Sequence, residues 1–400
     1  MVKSDYAMTT KEVADYLNIS NQMVYNLITD GELPAFKVGS ASRIMFSDLE
    51  KYIFQKKDEF ITGKSDVFRF SVNNLSLKID DFEIPDMSFS FPKGKILSIL
   101  GSSGSGKTLL LKAIAGLLPI HSGEIHMGRT RIDILEPAKR QIGYVFENYA
   151  LFPHLSGRKN IEFPLKIGKK PKYVINDETE KCIKELDIDF SYLESVPEQL
   201  PEGIKQLIAI ARGKNHNFNL FLMDEPMTHL DASHHIMMRM FLQKLVRDLH
   251  QTTIIAFNDP ADALALSDYI AVLGNGKILQ FGESWEIYHN PASLEVLQLI
   301  SVNGVNFFEI EIKEGQILTY NIPSDRKDGK YIFAFRIDDV KISDKGFEVI
   351  IDNAQFYDSN RQLSICHLKQ NAEVKFTLLL PVDSPKEIRI LPGEMYFFNI

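Results

Sequence analysis

The chain of 400 residues is longer than one ordinary domain, and its 44% hydrophobic and 24% charged composition is typical of soluble globular material with two or three cores. The formal net charge of −8 excludes a general attraction to nucleic acid or anionic membranes, so any such binding requires a local patch. Two distant cysteines, Cys182 and Cys366, favour a reduced cytoplasmic protein. Neither a membrane-spanning apolar run nor a signal-peptide pattern is found, so we expect no intrinsic membrane span.

The first block, residues 1–60, is predicted to contain a helix, a turn, a second helix, a hairpin and a third helix. Thr9 precedes Glu12 by three residues, which is the spacing of a capping box at the start of the first helix. The stretch PAFKVGSASRIMF is predicted to form the hairpin. The apolar positions that face inward on the two helices are Val13, Ala14, Leu17, Val24, Leu27 and Ile28.

Over about residues 6–55 this block resembles the small winged helix-turn-helix domains of the excisionase type. The resemblance implies a second helix in the DNA major groove and a wing against the backbone. The residues that would then contact DNA are Gln22, Met23, Tyr25, Asn26, Lys37 and Arg43. Because residues 1–60 carry seven Lys and Arg against nine Asp and Glu, one copy is expected to bind weakly without dimerisation or a specific site. A helix-turn-helix used for protein contact is the alternative.

The second block, residues 67–295, has the pattern of a parallel-sheet α/β domain. Its apolar runs, each followed by a loop and a helix-period segment, are KILSIL, QIGYVF, LFLMDE, TIIAF and YIAVL. The third block, residues 300–400, has short runs separated by Gly, Pro, Asp and Asn, which predicts an all-β, barrel-like domain. Those runs are FFEIEI, YIFAFRI, FEVIID, LSICHL, VKFTLLL and MYFFNI. The fold class is therefore multidomain.

The strongest chemical signal is the loop GSSGSGKT between a predicted strand and a helix that begins at Lys107. Glycines let backbone N–H groups converge on phosphate oxygens, Lys107 reaches the β- and γ-phosphates, and Thr108 is suited to Mg²⁺. The residues of this phosphate loop are Gly101, Ser102, Ser103, Gly104, Ser105, Gly106, Lys107 and Thr108. Further along, the strand in NLFLMDEP ends in Asp224, suited to hold Mg²⁺, and Glu225, placed to deprotonate an attacking water.

The phosphate loop is followed by four further motifs. Together the five motifs resemble those of the nucleotide-binding subunit of ABC transporters, and the four that follow are, in chain order, IGYVFENYALFP, PEQLPEGIKQLIAIAR, LFLMDEPMTHLD and TIIAFNDPADA. The tail, with FRIDDVKI and ILPGEMYFF, looks like the accessory β-barrel of importer subunits, and residues 150–212 fall at the helical subdomain. The resemblance implies ATP and Mg²⁺ as cofactors. It implies a homodimer or a heterodimer with another ABC ATPase, a membrane permease as partner, and a cytoplasmic location peripheral to the inner face of the membrane.

The resemblance also carries further site residues. Glu147 stands where the family has a glutamine that touches Mg²⁺, and a carboxylate still ligates this ion. Asp231 belongs to the THLD turn, and Phe82 is the nearest aromatic to the position that stacks on adenine. Asn258 replaces the histidine that contacts the γ-phosphate, and losing one preorganised contact costs about 10² to 10³ in rate.

The signature turn, usually Leu-Ser-Gly-Gly-Gln, departs furthest from the family and reads Leu200, Pro201, Glu202, Gly203 and Ile204. A carboxylate about 4 Å from a phosphate charge, at an effective dielectric near 20, costs on the order of 4 kcal/mol. We therefore expect weak closure of a dimer over ATP, unless Glu202 turns away or is protonated.

Two functions remain open at this stage. The first is the energy-coupling subunit of an ABC importer with slow ATP hydrolysis that also carries a DNA-binding domain. The second is an ATP-responsive transcriptional regulator that derives from such a subunit. The retained Lys107, Thr108, Asp224 and Glu225 favour the first, whereas the altered signature turn and Asn258 favour the second.

Overall fold

The computed structural model describes most of the chain in two compact units, Met1–Phe70 with His126–Thr130 and Ser71–Ile125 with Arg131–Ile400. No helix among the described residues has the length and apolar character needed to cross a membrane. The described residues are 7–17, 21–29, 33–38, 41–46, 48–49, 69–215, 218–249, 251–313, 316–317, 322–323, 326–369, 371–382 and 384–399.

Among its described residues, the first unit contains a small three-stranded antiparallel sheet in the order β1-β3-β2 and two helices. The capping box is confirmed, because the Thr9 backbone N–H donates to Glu12 Oε2 at 2.7 Å and the Glu12 N–H donates to Thr9 Oγ1 at 3.1 Å. The β2–β3 hairpin is the predicted wing. The predicted turn at residues 18–20 and most of the predicted third helix lie outside the described residues. The elements are β1 Ala7–Thr9, α1 Thr10–Leu17, α2 Asn21–Thr29, β2 Phe36–Val38 and β3 Ala41–Met45.

A six-stranded sheet in the order β13-β12-β6-β11-β10-β9 forms the centre of the second unit. All neighbours are parallel except the β12–β13 pair. The strands are β6 Ile96–Leu100, β9 Ile142–Val145, β10 Leu220–Asp224, β11 Thr252–Phe257, β12 Tyr269–Gly274 and β13 Lys277–Glu283. The apolar runs of the sequence are confirmed as strands. Because β6, β11 and β10 are parallel neighbours, the loops at their carboxyl ends meet at one edge of the sheet.

Helices and a second sheet complete this α/β part. The second sheet has the order β5-β4-β7-β8, with β4 Arg69–Ile79, β5 Phe82–Pro92, β7 Ser122–Met127 and β8 Thr130–Arg131. The helices are α3 Lys107–Ala115, α4 Gly157–Ile167, α5 Lys172–Glu185, α6 Glu202–Lys214, α7 Ala232–Leu249, α8 Pro260–Leu266, α9 Ser284–His289 and α10 Leu294–Ile300.

The tail folds as two antiparallel sheets around one apolar core, which confirms its all-β prediction. One sheet has the order β16-β15-β14-β17-β22 and the other β20-β19-β18-β21. The strand β21 at Glu387–Pro392 was not among the predicted runs, although the alternation of charged and apolar residues in EIRIL is itself a strand pattern. The other strands are β14 Val305–Lys313, β15 Gln316–Ile317, β16 Ile322–Pro323, β17 Gly329–Arg336, β18 Val340–Phe356, β19 Arg361–Leu368, β20 Asn371–Pro381 and β22 Tyr396–Asn399.

Candidate functional site

The phosphate loop lies between the end of β6 and the start of α3 at Lys107. Gly104 and Gly106 have φ angles of 78° and 104°, which side chains rarely adopt, and a Cβ on Gly106 would lie 2.7 Å from the ring of Phe82. Ser105 Oγ is buried without a hydrogen-bond partner among the described residues. The loop therefore has the backbone geometry and a spare hydroxyl to receive an anion at a helix N-terminus.

Lys107 is 3% exposed, and its ammonium group is surrounded by acceptors. It donates to the carbonyl oxygens of Gly101 at 2.9 Å and Ser102 at 3.0 Å, and to Asn258 Oδ1 at 2.7 Å. Glu225 Oε1 lies 3.4 Å from the same nitrogen. A buried charge needs such partners, and they orient the lysine across the loop.

Asp224 is the buried carboxylate of the site. Thr108 Oγ1 donates to its Oδ1 at 3.0 Å, and the Tyr144 hydroxyl donates to Oδ2 at 3.4 Å. Burial raises the pKa of Asp224, and the negative charges of Glu147 and Glu225 raise it further. The Thr108 hydroxyl and the Asp224 carboxylate are oxygen ligands of the kind that Mg²⁺ prefers. A divalent cation would also reduce the repulsion between Asp224 and the neighbouring carboxylates, so the residues fit Mg²⁺.

Glu225 and Asn258 contact each other at the ends of β10 and β11. Asn258 Nδ2 donates to Glu225 Oε2, and Thr228 Oγ1 donates to the same oxygen at 3.0 Å. Glu225 has a φ angle of 46°, and its backbone N–H donates to the Ala256 carbonyl at 3.1 Å. The carboxylate is therefore held beside Lys107 by donors from two loops.

The loop after β9 contains Glu147, which is exposed. Tyr149 and Ala150 have φ angles of 62° and 45°, and Arg212 on α6 donates to their carbonyl oxygens at 2.8 and 2.6 Å. Burial lowers the pKa of Arg212. This arginine thus ties the helix of the signature turn to the loop that carries Glu147.

The signature turn leads directly into α6, which begins at Glu202 after Pro201. Leu200 is buried, whereas Gly203 and Ile204 are half-buried. Lys205 Nζ lies 2.8 Å from Glu202 Oε1 and lowers the pKa of this carboxyl, with a smaller contribution from the Tyr149 hydroxyl. The sequence left open that Glu202 is protonated or turns away from the phosphate. The lowered pKa disfavours protonation, and the ionised side chain is paired with Lys205 of the same helix.

Phe82 and Asp231, which the sequence predicted to contact the nucleotide, lie outside the group formed by Lys107, Asp224 and Glu225. Phe82 is half-buried with its ring next to Gly106 of the phosphate loop. Asp231 is exposed and accepts hydrogen bonds from the His234 backbone N–H at 3.1 Å and from His234 Nδ1 at 2.7 Å. Their predicted contacts with nucleotide stay predictions.

The residues expected to face DNA belong to the first unit. Gln22, Met23 and Tyr25 are exposed on α2, and Lys37 is exposed on β2. Arg43 is half-buried on β3 and donates to the Ser42 carbonyl at 3.1 Å. The side chain of Asn26 lies outside what the structure describes.

Arg336 lies in the stretch FRIDDVKI, but no sequence pattern gave it a role; it is 2% exposed at the base of the β region. Its guanidinium donates to Glu394 Oε2 at 2.9 Å, to Ser301 Oγ at 3.2 Å, and to the Tyr288 carbonyl and the Tyr396 hydroxyl. It also lies 3.8 Å from the centre of the Tyr288 ring. This group joins α9 and α10 to the β sheets.

Comparison with known proteins agrees with the domain types described above. Residues 84–228 match the ABC transporter family model, and residues 7–57 match a helix-turn-helix domain model. The Fe(3+) ions import ATP-binding protein of Fusobacterium nucleatum is 33% identical over 316 residues, which cover 76% of this chain and 84% of that protein. The chain therefore belongs to the ABC transporter ATP-binding family, with an added N-terminal helix-turn-helix domain.

Two other similar proteins align over a smaller part of this chain. The sn-glycerol-3-phosphate import ATP-binding protein of Vibrio cholerae is 38% identical over 234 residues, so the alignment spans 58% of this chain and 63% of that protein. A chain from the solved dimeric structure of the ATP-binding cassette MJ0796, bound to ADP and Pi, is 24% identical with a TM-score of 0.49. That alignment covers 54% of this chain and 98% of the other.

Proposed function

We propose that this chain is the ATP-binding, energy-coupling subunit of an ABC importer, that it hydrolyses ATP slowly, and that it carries a DNA-binding domain. One observation carries the proposal: the side chains of Lys107, Thr108, Asp224 and Glu225 meet at the carboxyl edge of the parallel sheet. In this arrangement a cation, a hydroxyl and two carboxylates lie beside a glycine-bearing loop. These groups are what binding and hydrolysis of a nucleoside triphosphate require.

Each residue has a separate task in the proposed hydrolysis. The phosphate loop and Lys107 bind the phosphates, and Thr108, Asp224 and Glu147 would hold Mg²⁺, which neutralises charge on the β- and γ-phosphates when bound. Glu225 accepts a proton from the attacking water. The Asn258 amide orients Glu225 but carries no positive charge, so turnover is slow.

The importer assignment is supported by the names of the relatives and by the tail. Both relatives are import ATP-binding proteins, and the alignment with the first covers 84% of its length. We infer a permease as the membrane partner, a homodimer or a heterodimer with a second ABC ATPase as the working assembly, and a location at the inner face of the membrane.

A second candidate function is an ATP-responsive transcriptional regulator that does not energise transport. It is supported by the signature turn, where Pro201 offers no N–H donor and Glu202 adds a negative charge where a phosphate would approach. It is also supported by the exposed Met23 and Tyr25 on the second helix of the winged domain.

Sedimentation of the Glu225→Gln variant, with and without Mg·ATP, distinguishes the two functions. We expect dimerisation that depends on ATP if the signature turn still closes over phosphate. A monomer that binds ATP without dimerising would overturn a homodimeric importer subunit and favour the regulator. Failure to bind ATP, checked beside a Lys107→Ala control, would overturn both.

A further inference from the structure

A cavity of about 630 Å³ opens beside the signature turn, separate from the phosphate loop. Its wall consists of Pro201–Ile204 at the start of α6, the turn before α7, α7 itself and the end of α5. This volume lies within the range of about 300 to 1,000 Å³ that small-molecule sites occupy. The cavity is large enough for an aromatic or aliphatic ligand.

The floor of the cavity is apolar. Leu186 and Met238 are buried at its base, and half-buried apolar side chains complete it, namely Ile204, Leu207, Leu230 and Phe241. Ile204 stands where the family has a glutamine, so the substitution that removes a phosphate-binding amide adds apolar surface here. Met237 and Met238 add adaptable thioethers that fit irregular ligands.

The acidic side chains outnumber the Lys and Arg side chains among the residues that line the cavity. Three carboxylates line it, from Asp187, Glu202 and Asp231, and among the described lining residues there is no Lys or Arg. His229 and His234 are the lining groups with ring nitrogens, and His234 is bonded to Asp231. Lys205 pairs with Glu202 from outside the lining.

We propose that this cavity is a binding site for a small amphipathic organic cation, with its apolar body on the α7 floor and its amine at the Glu202 carboxylate. Pro201 lacks the N–H donor that an anion would need at this turn, and the carboxylates repel an anion. The occupant would release Glu202 from Lys205 and form its own charge-assisted hydrogen bond. In the protein without nucleotide, the altered signature turn thus offers a cation site that is separate from the phosphate loop.

The test uses two fluorescent probes with the same apolar group and opposite charge. Dansylcadaverine carries a primary amine, and dansylglycine carries a carboxylate. Each is titrated into the full-length protein without nucleotide, and the increase in dansyl emission is measured. We expect saturable binding of dansylcadaverine that is at least about tenfold tighter than binding of dansylglycine, because one charge-assisted hydrogen bond is gained and one repulsion avoided.

Two charge variants then give shifts of opposite sign. Glu202→Gln should weaken dansylcadaverine binding by about tenfold, because the carboxylate partner of the amine is lost. Lys205→Gln should strengthen it, because the cation that competes for Glu202 is removed. If Glu202 and Lys205 had only a structural role, both substitutions would shift the affinity for dansylcadaverine in the same direction. That result would overturn the proposal.

A matched pair on α7 separates the cavity from general adsorption to apolar surface. Met237 lines the cavity and is 60% exposed, whereas Met240 is 67% exposed on the same helix and does not line it. Met237→Trp should block the mouth and abolish binding, while Met240→Trp should leave it unchanged. Equal losses in the two variants, or equal affinity for the two probes, would overturn the proposal.

Discussion

Asn258 accepts a hydrogen bond from Lys107 Nζ at 2.7 Å and donates another to Glu225 from the same carboxamide group. One neutral side chain therefore joins the cation of the phosphate loop to the carboxylate that is placed as general base. An amide does this with its oxygen and its nitrogen at once, and it has no charge to gain or lose between about pH 5 and 8, where a histidine would titrate.

Replacing Asn258 with histidine should raise ATP turnover by about tenfold or more, because an imidazole restores a donor that stabilises charge in the transition state. The rate should also acquire a pH dependence in the histidine range. Phosphate release by the purified protein measures both. Asn258→Ala is the control and should be slower than wild type; a histidine variant that binds ATP but hydrolyses it no faster than wild type would contradict the role given to this position.

Glu225→Gln should lower turnover by at least about 10², since it removes the proton acceptor while keeping the side chain nearly isosteric. Affinity for a fluorescent ATP analogue should stay within a factor of a few. Lys107→Ala is the matched variant, and it should lose affinity as well, because the phosphate-binding cation is removed. A Glu225→Gln protein that turns over ATP like wild type would exclude Glu225 as the base.

Arg336→Met should destabilise the β region by about 3 kcal/mol, the usual cost of breaking a buried ion pair. The reason is that the Tyr288 carbonyl and the Ser301 hydroxyl lose their donor together with Glu394. Urea unfolding followed by fluorescence is suitable, because the single tryptophan, Trp285, lies on α9 with its ring 4.8 Å from that of His289.

The matched control for this measurement is Arg361→Met. Arg361 pairs with Asp358 at 2.7 Å, but both side chains are substantially exposed. Such a pair contributes less than about 1 kcal/mol, so the unfolding midpoint should hardly change. Equal losses in the two arginine variants would mean that burial of Arg336 carries no special stabilisation.

Acid should weaken the contacts around Arg336, because it protonates Glu394. Burial raises the pKa of this carboxyl, but the hydrogen bonds from Tyr396 and His289 and the charges of His289 and Arg336 outweigh burial, so its pKa lies below the ordinary 4.5. A lowered pKa stabilises the folded state above the ordinary value and loses this effect as pH falls through the folded value. The difference in unfolding free energy between wild type and Glu394→Gln should therefore shrink below pH 4.5. A difference that grows on acidification would contradict this assignment.

The sequence predicted those parts of the site that depend on local patterns. The glycines and Lys107 follow a strand and open a helix, and Asp224 ends an apolar strand, so their neighbours in the chain determine their positions. The capping box of Thr9 and Glu12 was predictable for the same reason.

Contacts between segments that are distant in the chain could not be predicted from the sequence. Asn258 and Lys107 are 151 positions apart and meet because β6 and β11 are parallel neighbours. Arg336 lies in the quoted stretch FRIDDVKI, but its burial was not predicted, since a single arginine on a strand is usually exposed. Its burial depends on partners from α9, β22 and the residue that follows α10. The pairing of Glu202 with Lys205 has helical spacing, but the apolar cavity behind Glu202 depends on how α5, α6 and α7 pack.

The winged domain leads to a prediction about salt. Lys37 on β2 and Arg43 on β3 are the two wing cations, and Phe36 pairs with Arg43 across the hairpin. With two phosphate contacts, the logarithm of DNA affinity should fall against the logarithm of salt with a slope of about −2. Fluorescence anisotropy with a duplex of arbitrary sequence, at several low salt concentrations, measures this slope.

Lys37→Gln should then reduce the magnitude of that slope by about 1 and weaken binding to all sequences alike, because a phosphate contact carries no sequence information. Lys11→Gln removes the same charge from α1 of the same block, where no phosphate contact is expected, and should leave the slope unchanged. Equal effects of the two lysines would mean that net charge alone governs the interaction. Absence of binding at low salt would assign the exposed face of α2 to a protein partner, because an interface that binds DNA gains most of its non-specific affinity from phosphates.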